Sequence, residues 1–475
     1  MRTGLTFAGL ARRGVWFHRR MYLSVMAGAA ISVAVLVGAL LVGDCVRYSL
    51  QRFALLRLGG IEAAADLRQR YVSEDLATAL AGAADRPVAG VLRLRGAAWT
   101  RGAGGEAAAQ VNHVNVLGVD PAFWQFSGAA RPALGNDEIV LSDRLARALG
   151  VNVGDEVSLR VAQPSLLPRD APLSSRREKL TQTGAFTVRR IAGDEEMGRF
   201  SLEANQLAPY NAFVSRGWLQ ERIGMAGRVN LLLAGSAGDG EQPAGDTLDD
   251  ALRRAWRPEH SGVSIREAGG GVLQVESDRV FLDPATGAAA LGLPATAPGG
   301  AAPVGVLAYM VNTISRAAAT GEVRTAYSFV VASSPSADPR LSLVPPDMRD
   351  DEILLNQWAA HQLGAPAGDA IRLTYFEIAA ADGLVERSRS FRLRGILEME
   401  SLEAERALMP EFPGLSDVNS CRDWSIGMPM DAALLADKAN EDYWQQYRAT
   451  PKAIVTLRAG QAMWASRFGD LTSVR

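Results

Sequence analysis

Asp137 to Leu159 reads DEIVLSDRLARALGVNVGDEVSL, and Asp351 to Leu373 reads DEILLNQWAAHQLGAPAGDAIRL. Without a gap, ten of these 23 positions are identical, far more than chance alignment gives. Each shared position has a local reason. Ile139, Val140 and Leu141 are a short apolar run of the kind that forms a buried strand. Ser142 in one copy and Asn356 in the other are good helix N-caps. Leu145, Ala146 and Leu149 give the following helix an apolar face, and Gly150 or Gly364 supplies its left-handed C-terminal cap. Gly154-Asp155 and Gly368-Asp369 read as tight turns into alternating strands, Val157/Leu159/Val161 and Ile371/Leu373/Tyr375. Further on, Phe186-Thr187-Val188-Arg189-Arg190-Ile191 matches Phe391-Arg392-Leu393-Arg394-Gly395-Ile396. The unit is strand, helix, turn, strand and a later strand, and it occurs twice.

Low-complexity stretches mark the seams. Ser236 to Asp249 (SAGDGEQPAGDTLD) reads as a linker between the copies, and Ala285 to Pro303 (ATGAAALGLPATAPGGAAP) as a flexible insertion. Gln163 to Gly184 reads as a long surface loop inside the first copy.

Upstream of the copies, Tyr22 to Gly43 is an uncharged run, YLSVMAGAAISVAVLVGALLVG. As a helix it spans about 33 Å, enough for a hydrocarbon core of about 30 Å. Arg2, Arg12, Arg13, Arg19 and Arg20 precede it with no acid among them. The positive-inside rule therefore puts the N-terminus in the cytoplasm and everything after Asp44 outside. A cleaved signal peptide would have a shorter apolar stretch and a small-residue cleavage site. A lipoprotein signal would place a small residue, not Asp44, before Cys45. Residues 4 to 17 (GLTFAGLARRGVWF) suit a helix lying on the cytoplasmic surface. Val46, Leu50, Phe53 and Ala54 continue the helical spacing as a stalk until Gly59-Gly60 stops it. Within the span, Ala30, Ala34 and Gly38 line up at i, i+4 and i+8, small residues that let another membrane helix approach closely.

Composition excludes more than it assigns. Fifty basic residues against 52 acidic ones give no basic surplus for nucleic acid. Three of the basic residues are Lys (Lys179, Lys438 and Lys452) and the rest are Arg. There is no GxxxxGK[ST], so the chain has no P-loop for ATP, and neither HExxH nor GxSxG occurs. His18, His113, His260 and His361 have no ligand spacing. Asp137-Glu138 and Asp351-Glu352 stand at strand starts, where a structural role is expected. The aromatic clusters at Phe123-Trp124-Gln125-Phe126 and Tyr443-Trp444-Gln445-Gln446-Tyr447 are expected to pack against the repeats. Met409 to Gly414, running on to Trp424, is a turn-rich segment of the kind that often carries function. Cys45 and Cys421 are expected as two unpaired, mostly buried thiols rather than a bridge. No enzyme activity, cofactor or metal is expected.

The chain resembles the N-terminal part of bacterial FtsX-like ABC transporter permeases, with their MacB-like periplasmic core. The matching features begin with the Arg-rich start, the helix ending in Val42-Gly43-Asp44, and Ser49-Leu50 with Arg57-Leu58-Gly59. They continue with Val116-Leu117-Gly118-Val119-Asp120, Glu138-Ile139-Val140-Leu141-Ser142, Leu145-Ala146, Leu149-Gly150 and Gly154-Asp155. The resemblance implies a permease half in the bacterial inner membrane, working with a separate cytoplasmic ABC ATPase and further permease helices. It also implies a lipoprotein, peptide or small-molecule substrate. Such permeases carry further membrane helices, typically three, after the periplasmic part. The sequence reaches Arg475 without them, so a fragment, a truncated frame or half of a split permease is expected. The alternative is a stand-alone anchored binding or scaffold module without transport.

The expected organisation is α+β. A basic amphipathic segment (1–21), transmembrane helix (22–43) and stalk helix (44–60) precede two extracytoplasmic repeat units, 61–235 and 260–475, joined by a linker at 236–259.

Overall fold

The computed structural model describes residues 6–101, 107–127, 132–162, 164, 181–203, 207–236, 244–268, 271–294, 301–319, 321–378, 384–402, 406, 409–412 and 414–475. Two helices come first, α1 (Phe7–Phe17) and α2 (Arg19–Leu58), with His18 between them. α2 is one continuous helix of 40 residues, so span and stalk are a single element about 60 Å long. None of its residues is buried, and Leu, Val, Ile and Met side chains stand exposed from Met21 to Leu55. That surface is stable only in lipid, where the intrahelical bonds leave no backbone group unmatched. α2 crosses the inner membrane and the α+β region lies outside it. In α1, Phe7, Leu10 and Phe17 fall at i, i+3 and i+10 on one face, as a helix in the membrane surface requires.

The first unit runs β1 (Ile61–Asp66), β2 (Val72–Ser73), α3 (Asp75–Ala84), β3 (Val88–Arg101), β4 (Ala107–Val119), β5 (Glu138–Ser142), α4 (Asp143–Leu149), β6 (Glu156–Ala162), β7 (Thr181–Ala192), β8 (Asn211–Ser215), α5 (Arg216–Arg222), β9 (Arg228–Val229) and β10 (Leu231–Gly235). Six strands close a barrel in the order β3-β4-β8-β5-β7-β6, sealed where β6 returns to β3 from Gly96↔Val161 to Trp99↔Ser158. The other half of β3 pairs with β10, and β10 with β1.

The second unit runs α6 (Ala244–Ala255), β11 (Val263–Glu267), β12 (Leu273–Ser277), α7 (Pro284–Leu291), β13 (Gly305–Ala318), β14 (Gly321–Ser333), β15 (Glu352–Asn356), α8 (Gln357–Leu363), β16 (Ala370–Ile378), β17 (Leu384–Leu397), α9 (Ala432–Leu435), α10 (Lys438–Tyr447), β18 (Ala453–Thr456), α11 (Leu457–Trp464) and β19 (Ser473–Val474). Its barrel has the same order, β13-β14-β18-β15-β17-β16, and the same closure, β13 with β16. β19 and β12 stand where β10 and β1 stand in the first unit. The repeat therefore covers the whole unit, not only its 23-residue signature.

Individual bonds repeat as well. Ser142 Oγ accepts the Leu145 N–H at 3.4 Å, and Asn356 Oδ1 accepts the Ala359 N–H at 2.7 Å. Gly150 and Gly364 close α4 and α8 with φ of 69° and 57°. Gly154 N–H donates to Val188 O at 2.8 Å, and Gly368 N–H to Leu393 O at 2.7 Å. Parallel pairing of β5 with β7 is interrupted between Ile139 and Val140, and that of β15 with β17 between Ile353 and Leu354. Ile139, Leu141, Leu159, Phe186 and Val188 fill the first barrel as Ile353, Leu355, Leu373, Phe391 and Leu393 fill the second. Burying each such side chain is worth about 1.5–3 kcal/mol.

Several stretches differ from the expectation or lie beyond it. Most of the loop expected at 163–184 lies outside the described residues, and Thr181 already belongs to β7. Within the expected flexible insertion, Pro284–Leu291 is helical, since an Ala-rich run after Asp283-Pro284 starts a helix well. Within 236–259, α6 packs Leu248 and Ala251 against Leu76, Ala77 and Leu80 of the first unit. Phe123, Trp124, Phe126, Tyr443 and Trp444 are all buried. The segment from Met409 to Trp424 caps the second barrel: Phe412 stacks on Phe329 at 5.4 Å and Trp424 stands edge-on to Trp444 at 5.0 Å. Both cysteines are free; Cys421 is buried, but Cys45 is exposed on α2.

Candidate functional site at the stalk junction

α2 passes directly into the first barrel. Leu58 is its last residue, Gly59 closes it by donating its N–H to Leu55 O at 2.8 Å, and Gly60 N–H donates to Phe126 O at 2.8 Å. Ile61 then begins β1 and is buried with Phe123, Trp124, Phe126, Met197 and Phe200. Gly59 has φ 57°, and a Cβ there would sit 2.5 Å from Phe126 O and 2.8 Å from Met197 Sδ. Only glycine fits that approach. Two arginines brace the corner. Arg57 donates to Glu203 O at 2.7 Å, and the Arg199 guanidinium lies 5.7 Å from the Phe53 ring. β1 pairs with β10, and β10 with β3, a wall of the barrel.

Beside the junction, a cavity of about 730 Å³ is lined by Asp66, Tyr71, Arg93, Arg95 and Glu203. Two of its arginines are paired, Arg93 with Asp66 at 2.7 Å and Arg95 with Glu203 at 3.5 Å. Farther out, the units are tied by Arg70 to Asp283 at 2.9 Å and Arg228 to Asp278 at 2.6 Å. Burial pushes the Asp278 carboxyl above the usual carboxylate range, against the pull of Arg228 and Arg279. A cleft of about 1070 Å³ between the units is lined by Arg228 from the first and Arg266, Glu276, Asp417 and Arg448 from the second.

Equivalent positions pin the loops that follow β7 and β17. Asn211, fully buried, donates to Gly198 O at 3.2 Å and Phe200 O at 2.9 Å. At the matching place, Lys452 is 1% exposed. Its Nζ donates to Thr325 Oγ1 at 3.1 Å, Ala326 O at 3.2 Å and Asn440 Oδ1 at 2.5 Å. It also lies 4.7 Å from the Trp358 ring and 4.8 Å from Tyr443. Burial pulls the Lys452 ammonium down to about 7. Burial and Glu441 push the neighbouring Cys421 thiol up to about 12.

Ala30, Ala34 and Gly38 lie along α2; the two alanines are exposed, and a Cβ at Gly38 would meet nothing within 4 Å. Sequence reasoning found the helix stop at Gly59-Gly60 but none of its partners, because Phe126, Arg199 and Glu203 come from distant loops with no motif of their own. Lys452 did leave a trace, as one of three lysines in an arginine-dominated chain. Among the described residues, no group of three or more His, Cys, Asp or Glu is placed to hold a metal ion.

Comparison with known proteins bears on this geometry. No curated protein sequence matches the chain. Among solved structures, it is similar to the periplasmic region of MacB from Actinobacillus actinomycetemcomitans, at 12% identity and TM-score 0.28, over 42% of this chain and 86% of that one. It is also similar to the extracellular domain of the noncanonic ABC-type transporter YknZ from Gram-positive bacteria, at 11% identity and TM-score 0.24, over 40% and 87%. Both likenesses are remote. The family of the MacB-like periplasmic core domain matches residues 23–244, from inside α2 through the junction and the whole first barrel. Residues 23–244 therefore carry a match to the MacB-like periplasmic core domain.

Proposed function

We propose that the chain is the membrane-anchored permease component of an ABC transporter of the FtsX/MacB type. A separate cytoplasmic ATPase moves α2 together with further permease helices. The periplasmic units pass that motion to a lipoprotein, peptide or small-molecule substrate. The observation that carries this reading is the extent of the family match: it begins within α2, includes the Gly59-Gly60 junction and takes in helix and barrel together. A helix welded to a barrel suits transmission of force, whereas a tether for a free module would have a loose linker.

The helix face that would receive the partner is Ala30/Ala34/Gly38. Replacing Ala34 and Gly38 by Leu adds bulk where close approach is needed and leaves the span apolar. Crosslinking in native membranes should then show weakened contacts between α2 and a permease helix, with insertion retained. Undiminished crosslinks, or no helical partner for the wild type, would sink the reading.

A further inference from the structure

The second barrel opens a cleft on its outer wall where β13 leaves β16. The two strands pair only from Thr313↔Thr374 to Arg316↔Ile371, while β16 runs on with β17 as a hairpin as far as Ile378↔Leu384. Between that hairpin, β13 and the segment Pro429–Leu434 lies a cavity of about 660 Å³. That volume suits a small ligand or a short peptide.

Asn312 lines the cavity and is 5% exposed. Its Nδ2 donates to Glu386 Oε1 at 2.7 Å, while its Oδ1 is buried with no hydrogen-bond partner. The carboxylate fixes the amide's orientation, because turning it over would set two acceptor oxygens against each other. A buried acceptor left unmatched costs about 1–3 kcal/mol, and a donor brought by a ligand relieves it. Facing it, Tyr327 has a positive φ of 22°, and the β13–β14 ladder passes from Val311↔Ser328 to Thr313↔Ala326 without this pair. The Tyr327 hydroxyl accepts the Asp431 N–H at 2.6 Å, and burial keeps its proton on, ready to be donated.

The other charges around the cleft are accounted for, with one exception. Arg372 lies 3.7 Å from Glu322, Arg387 is 3.1 Å from Glu377, and Asp431 caps the Ala433 N–H. Arg324, exposed in the same cleft, has no partner among the described residues. It faces Ser315 across the ladder, three residues from Asn312, so the two unmatched groups are about 10 Å apart along the strand. An extended peptide covers at most ~3.3–3.6 Å per residue, so roughly three residues bridge them.

We propose that this cleft binds a short zwitterionic peptide about three residues long, its N-terminal ammonium at Asn312 Oδ1 and Glu386 and its C-terminal carboxylate at Arg324. The Tyr327 hydroxyl meets a peptide carbonyl, and Phe376 and Met430 offer an apolar wall to the middle side chain. This binding does not depend on the permease reading and is measured on the chain alone.

The test is calorimetric titration of the full chain in detergent with tri-alanine. Saturable binding is expected, weakened roughly tenfold or more by acetylating the peptide's N-terminus or amidating its C-terminus. Arg324→Gln should weaken free tri-alanine to a similar degree without changing the amidated peptide, and Arg324→Lys should restore most of the affinity. Glu386→Gln should act at the other end, affecting the free amine and not the acetylated peptide. No binding of tri-alanine to the wild type overturns the proposal. So does binding that neither blocking group nor either charge-removing variant weakens.

Discussion

Two glycines carry the same task in the two copies. Gly150 and Gly364 each end a short helix in the left-handed region, and Val151 or Ala365 then bonds back to Ala146 O or Ala360 O. Space is not the constraint at Gly150, where a Cβ would meet nothing within 4 Å. The constraint is φ alone, which a β-branched residue resists. Gly150→Val and Gly364→Val should each destabilise their own barrel by about 1 kcal/mol or more, read as an earlier denaturant midpoint. Unchanged midpoints would show that the helices end for another reason. Lys452 makes a second prediction at this scale. Its folded value of about 7 lies below its ordinary 10.5, so between the two the unfolded chain holds a proton that the folded chain lacks. Lys452 therefore makes the stability of the second unit rise with pH from about 7 towards 10.5. The Cys421 thiol opposes this from its ordinary 9 upward, because its folded value of about 12 leaves the folded chain holding a proton that the unfolded chain loses, so the rise is read below pH 9. Lys452→Met should flatten the profile in urea titrations at pH 7 and pH 9; an equally steep slope in the variant would assign the effect elsewhere.

Among the elements, the legible ones are those specified by neighbours in sequence. The strand–helix–turn–strand signature was readable because Ser142, Gly150 and Gly154 act within a few residues of themselves. The membrane helix was readable because lipid leaves a lone segment no alternative. Barrel closure was not, since Gly96↔Val161 and Thr313↔Thr374 join strands far apart in the chain. The hairpins β3–β4 and β13–β14 share a left-handed kink, His113 at φ 58° and Tyr327 at φ 22°, which no shared residue type announces. The junction was half legible: a Gly-Gly pair announces a stop but not the Phe126 carbonyl it stops against. The peptide cleft was invisible, because an unmatched amide oxygen can be recognised only once its surroundings are built.

For the molecule as a whole, orientation is the quantity to measure. Arginines before α2 and a large α+β region after it place residue 249 on the outer side of the membrane. Cysteine chemistry suits the test, since Cys45 is exposed and can be replaced while Cys421 is buried and held as a thiol. In a Cys45→Ser background, Asp249→Cys should react with a membrane-impermeant maleimide in intact cells. Reaction only after lysis would reverse the topology. The pairing of β19 has a consequence for how the protein is made. The first unit is complete once β10 has emerged at Gly235, but the sheet of the second waits for Ser473 and Val474 to slot between β12 and β13. At ~5–20 residues per second, that interval lasts roughly 10–50 s. Throughout it a finished first unit stands at the membrane beside a second whose sheet is incomplete, with apolar strands open to proteases and to pairing with the wrong chain.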